Sequence, residues 1–86
     1  MSMTQQATDF VRVPIGSEHP ARSHEIRFRG ARGPLAGHTV RLGQDADAKW
    51  MALGGAGFLG EAGTHGEAMR MVATEWLASP DGQRIQ

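Results

Sequence analysis

Apolar and polar residues alternate along the first two thirds of this chain, and the spacing then switches to three and four. From Phe10 to Ile15, Val11, Val13 and Ile15 alternate with Phe10, Arg12 and Pro14. That is the period of a strand, and Pro14, which has no amide hydrogen to donate, places it at a sheet edge. His24 to Gly30 sets Ile26 and Phe28 against Glu25, Arg27 and Arg29, and His38 to Leu42 sets Val40 and Leu42 against Thr39 and Arg41. Both predict strands with one apolar and one charged face. Lys49 to Leu53 and Phe58 to Ala62 flank Gly54, Gly55, Ala56 and Gly57, whose glycines suit a hairpin turn.

After Thr64 the period changes. Ala68, Met69, Val72, Ala73, Trp76 and Leu77 fall on one stripe of a helix over Thr64 to Ala78, leaving Glu67, Arg70, Thr74 and Glu75 outside. The T-x-x-E spacing of Thr64 and Glu67 is a capping box, and Ser79, Pro80, Asp81 and Gly82 read as the stop. The expected fold is therefore α+β: a small antiparallel sheet of three to four strands with one C-terminal helix packed on one face. Residues 1–9, which are polar, read as a disordered tail, 10–82 as a single domain and 83–86 as a C-terminal tail.

Length and composition restrict function more than they name it. A chain of 86 residues buries only about 60 to 65% of its unfolded surface. One core of that size contributes roughly 3 to 5 kcal/mol of net stability. There is no cysteine, which excludes disulfides, thiolate metal sites and cysteine nucleophiles and fits a cytoplasmic protein. No apolar run approaches the roughly 18 residues that cross a bilayer, and the N-terminus lacks the apolar stretch of a signal peptide. Net charge is zero but unevenly spread. Residues 1–43 hold six arginines against Asp9, Glu18 and Glu25, giving +3, and residues 44–86 hold Lys49, Arg70 and Arg84 against six acids, giving −3. With eight arginines to one lysine and twelve glycines, the composition looks like the product of a GC-rich genome.

Candidate chemistry is sparse. Gly55, Gly57 and Gly60 match G-x-G-x-x-G, but a dinucleotide site needs that loop to open a helix and a second parallel strand to follow, and here a strand follows instead. His19, His24, His38 and His65 show no metal-ligand spacing, and His65 reads as an exposed residue at the helix start. Asp45 and Asp47 suit a turn, and Ser17 and Ser23 lack a nucleophile elbow, so no enzymatic activity and no cofactor are expected. The arginines are the remaining signal. If the helix covers the Ile26, Phe28, Val40 and Leu42 side, Arg27, Arg29 and Arg41 emerge together on the open side, extended by Arg32 in the following loop, as a surface for an acidic protein or for phosphates.

The series Trp50, Ala52, Phe58, Thr64, Glu67, Ala68, Trp76, Leu77 resembles the strand, strand, helix pattern of small DNA-binding modules such as the arm-binding domains of phage integrases. That resemblance implies nucleic-acid binding through the sheet, yet Glu61, Glu67 and Glu75 stand here against a single Arg70. In size and in lacking a catalytic motif the chain is also similar to compact phage-encoded anti-defence proteins, including anti-CRISPR proteins. That likeness implies a non-enzymatic inhibitor or accessory protein of a phage or mobile element, occupying a surface of a larger complex. The expected function is binding by protein contact, with Arg27, Arg29, Arg32 and Arg41 meeting an acidic partner. A nucleic-acid module using the same arginines is the alternative, and a homodimer, pairing the +3 and −3 halves or extending the sheet across an exposed edge strand, is a third reading.

Overall fold

Each alternating stretch becomes a strand that pairs with its neighbour in sequence. A computed structural model describes residues 9–85. It contains β1 (Phe10–Ile15), β2 (Ser23–Phe28), β3 (Leu35–Arg41), β4 (Trp50–Gly54), β5 (Gly57–Ala62), α1 (His65–Ala78) and α2 (Pro80–Ile85). The five strands form one antiparallel sheet in the order β1-β2-β3-β4-β5, so the fold is α+β as expected, with one strand more. β1 lies at an edge, as Pro14 requires. Gly54 pairs with Gly57 across the last hairpin, where Gly57 has φ +117. The expected N-terminal tail lies outside the described residues except for Asp9, whose carbonyl accepts a hydrogen bond from the Arg29 amide at 2.8 Å.

α1 starts where the capping box places it. Thr64 Oγ1 accepts from the Glu67 amide at 3.1 Å, and Glu67 Oε1 accepts from the Gly63 amide at 3.1 Å. Ala68, Val72, Ala73 and Trp76 are buried on the sheet. Trp76 meets Phe28 at 5.1 Å and Phe10 at 5.9 Å between ring centroids, and Phe10 and Phe28 lie 5.0 Å apart. The chain does not end its helical course at Ser79. The Ser79 hydroxyl oxygen accepts from the Gly82 amide at 3.2 Å and so caps α2, with Pro80 in its first position, where a missing amide hydrogen costs nothing. The expected tail at 83–86 is thus helical through Ile85.

The face that α1 covers is not the one the alternation of β3 predicts. His24 pairs with Thr39 and Ser23 with Val40, and cross-strand partners share a face. Thr39, fully buried, therefore lies with His24 and Ile26 under the helix, while Val40 lies on the opposite side. Leu42 falls beyond β3 and is exposed. The reason is distance. A Cβ on Gly37 would stand 2.7 Å from Val72 Cγ1 and would collide with the Leu53 carbonyl oxygen, so α1 approaches the sheet centre more closely than a branched side chain permits. Its helix-side neighbours are accordingly small: Thr39 on β3, Ala52 on β4 and Gly60 on β5.

This packing is tested by two substitutions compared in urea. Thr64→Ala removes one cap hydrogen bond and is expected to cost about 1 kcal/mol. Gly37→Ala overpacks the helix and sheet contact, with an expected cost of on the order of 3 kcal/mol. The midpoint of Gly37→Ala should fall at least twice as far as that of Thr64→Ala, and equal midpoints would refute the close approach.

Candidate functional site

The sheet separates the four arginines singled out in the sequence. Arg27 is on the face away from α1, where its Nε donates to Glu25 Oε1 at 2.9 Å and its Nη1 to the Gly33 carbonyl at 2.8 Å. The hydrogen bond from Arg27 is the main reason that the Glu25 carboxyl is held below its ordinary value. Arg41 shares the parity of Thr39 and lies on the helix side, its Nη2 donating to the carbonyls of Asp45 at 2.6 Å and Gln44 at 3.4 Å. Arg29 follows the end of β2 at φ +65 with its guanidinium 4.7 Å from the Phe28 ring centroid, and Arg32 is exposed in the turn. The expectation of one surface bearing Arg27, Arg29 and Arg41 rested on the same parity error as Val40, and no single face holds them.

A different constellation gathers at the N-terminal end of α1. His65, in the first helical position, is half-buried and lies flat on Trp50, with ring centroids 3.8 Å apart and planes 1° from parallel. The His24 ring sits 4.6 Å from His65 and 5.9 Å from Trp50. Arg12 Nη1 donates to His65 Nδ1 at 2.9 Å. A guanidinium cannot accept, so Nδ1 carries no proton, and the neutral ring donates from Nε2 to Thr39 Oγ1 at 2.7 Å. Burial first, then the adjacent His24 ring and the Arg12 guanidinium, push His65 down from its ordinary 6.5 to about 4. His24 is lowered too, by burial and then by Arg12. Both imidazoles are thus neutral at pH 7, and Arg12 and Arg41 supply the positive charge.

Thr39, which His65 touches, is fully buried and reaches no substrate. His24 and His38, which could have met across paired strands, fall on opposite faces because Glu25, not His24, pairs with His38. Among the described residues no three histidine or carboxylate side chains gather as metal ligands, and no described helix is long and apolar enough to cross a membrane. The cluster went unread because its members are 53 residues apart in the extreme case of Arg12 and His65. The available signal was polar residues, Arg12, Thr39 and Arg41, at the positions that alternate with apolar ones, and His24 in line with Ile26 and Phe28.

The face away from α1 carries its own row of apolar side chains in the second half of the sheet. Val40 pairs with Met51, and Leu53 with Phe58, which is 61% exposed. Phe58 sits on β5, the edge opposite β1, and that edge carries neither proline nor a basic residue to guard it. Around the edge, between β5 and α1, runs an open groove of about 730 Å³ whose apolar floor includes Leu59 and Met71 and whose rim carries Glu61, Glu67 and Glu75 against Arg70.

The neutral His65 makes folding sensitive to acid in a definite direction. The unfolded chain takes up a proton near pH 6.5 that the folded chain refuses until about pH 4, so the contribution of this site is complete above pH 6.5 and is lost as pH falls toward 4. The urea midpoint should drop between pH 7.5 and 5, and His65→Phe, which keeps a flat ring against Trp50, should reduce the slope. A wild-type midpoint flat across that range would contradict the buried, neutral assignment. Comparison with protein-family models, with curated proteins and with solved structures gives no match, so the functional reading rests on this geometry.

Proposed function

We propose that this protein is a non-catalytic binding domain that docks a protein partner across the β5 edge of its sheet. The observation that carries this reading is the apolar row left uncovered on the face away from α1. Directly under α1 stand Gly37, Thr39, Ala52 and Gly60, with Trp50 and Leu59 at the margins of that side, whereas Val40, Met51, Leu53 and Phe58 face away from it. Phe58 left 61% exposed has no role in the domain's own core. Aromatic side chains of this kind serve as anchors at protein interfaces, where they bury large area with few rotatable bonds.

The chemistry of the partner follows from what surrounds the anchor. Glu61 lies beside Met51 on the same face, and Glu67 and Glu75 line the groove on the other side of the strand. A partner that covers Phe58 and Leu53 and wraps the edge meets these carboxylates, so an apolar patch flanked by lysine or arginine is complementary. The acidic rim opposes a nucleic-acid backbone at this edge. The bulge between Ala52 and Leu53 interrupts the regular β4–β5 ladder and favours side-chain docking over simple strand addition.

Affinity capture from the native host with four baits tests the reading. A stoichiometric protein partner should be retained by wild type and by Arg32→Glu, and lost with Phe58→Ser. Glu61→Lys combined with Glu75→Lys should weaken retention and reduce its sensitivity to salt. Equal capture by wild type and Phe58→Ser, or no stoichiometric partner at all, would overturn it.

A further inference from the structure

α1 begins short of one end of the sheet, and there the helix side is open. Arg12, His24, Arg41, Trp50 and His65 line a depression of about 250 Å³ beside Pro20. We propose that this depression is a phosphate-binding site that takes the dianionic group of a small phosphate monoester between Arg12 and Arg41. It lies at the opposite end of β4 from Phe58 and is independent of the protein-docking edge.

Charge selects the ligand class. Two guanidinium groups face the depression, and among the described residues no carboxylate lines it. Neither arginine takes part in an ion pair among the described residues. A pair of fixed positive charges without an internal counter-ion is matched by a dianion, which a phosphate monoester is at pH 7.5 and a carboxylate or a phosphodiester is not.

Geometry selects the size. Arg12 on β1 is level with Ile26 and Gly37, and Arg41 stands two strands across and four residues further along β3, so their backbones are roughly 16 Å apart. Two arginine side chains leaning inward across that span leave room for one tetrahedral group. The volume falls below the roughly 300 Å³ at which whole-ligand pockets begin, so the site holds a headgroup, and the rest of the ester lies outside. A second shallow depression shares Pro20 and Arg41 and is lined further by Arg22, His19 and Glu18, which provides that space.

The donors are also held in place. Arg12 spends one Nη1 hydrogen on His65, and Arg41 is tied by Nη2 to the Gln44 and Asp45 carbonyls, which leaves each guanidinium with further N–H groups. His24, more than nine-tenths buried, lines the same depression and backs it with a neutral ring. The first turn of the 14-residue α1 starts at His65, so the positive end of the helix dipole adds to the field there.

The test is an NMR titration of the nitrogen-15 labelled protein at pH 7.5 and constant ionic strength, with inorganic phosphate, glycerol 3-phosphate, acetate and a single-stranded oligodeoxynucleotide as separate probes. Inorganic phosphate and glycerol 3-phosphate should give saturable shifts at the Trp50 indole N–H, with the Trp76 indole unmoved. Arg12→Gln and Arg41→Gln should each weaken glycerol 3-phosphate by about fivefold or more, with an unshifted Trp76 signal reporting that the fold is intact, and Arg27→Gln should leave affinity unchanged. Linear shifts, wild-type affinity in Arg41→Gln, or acetate binding as tightly as phosphate would overturn the proposal. Tighter binding of the oligodeoxynucleotide than of glycerol 3-phosphate at the Trp50 signal would also overturn it, because the ligand would then be a diester backbone.

Discussion

The contact between Val72 of α1 and the bare backbone of Gly37 sets the depth at which the helix lies on the sheet, and most other features follow from that depth. A helix this close excludes bulk from the central strands beneath it, which is why Thr39, Ala52 and Gly60 occupy the helix side. It also puts bulk at the flank, where Phe10, Phe28 and Trp76 fill the widening space toward β1. Most core volume then comes from that aromatic group, Ile26 and Val72. The cost of such an arrangement is intolerance: a single added methyl at the closest point has backbone on one side and a packed helix on the other.

The legible parts of the fold were those with local causes. The capping box at Thr64, the edge position of Pro14 and the glycine hairpin after Leu53 each depend on residues within a few positions of one another. The α2 helix was missed although Ser79, Pro80 and Asp81 are a helix start as well as a helix stop, because those residues punctuate in both directions. The parity of β3 was missed for a different reason. Hydrophobic alternation identifies which residues share a face, but the choice of which face a helix covers is made by fit, and in β3 the fit favours Gly37 and Thr39 over Val40. The arginine surface inferred from that parity dispersed with it, and the Arg12, His24, Trp50 and His65 cluster came from register and helix position, which no short window of sequence contains.

That cluster is also a clasp. Arg12 on the edge strand β1 is joined through His65 to Thr39 on the central strand β3, and Trp50 on β4 supports the same imidazole from its flat side. A histidine in the first turn of a helix is usually wet and titrates normally; here the cap at Thr64 aims it back over the sheet, and desolvation keeps it neutral. Neutrality is a requirement of the geometry, since a proton on Nδ1 would face the Arg12 guanidinium. The same hydrogen bond that ties β1 to α1 orients Arg12, so an arginine positioned for structural reasons is already positioned for a ligand, with its ordering entropy met on folding.

The two edges of the sheet have been treated differently, and the difference bears on function. β1 carries Pro14 and Arg12, both of which discourage another strand from adding there. β5 carries glycines, one acid and the exposed ring of Phe58. A domain of this size has little stability to spare, and an unshielded apolar edge is a hazard of aggregation unless something covers it. Removing Phe58 would not deprive the domain of a core contact, because the ring points away from α1. Its retention on the uncovered face is therefore best understood as a feature of the bound state, in which the partner supplies the second layer that the five-stranded sheet lacks on that side.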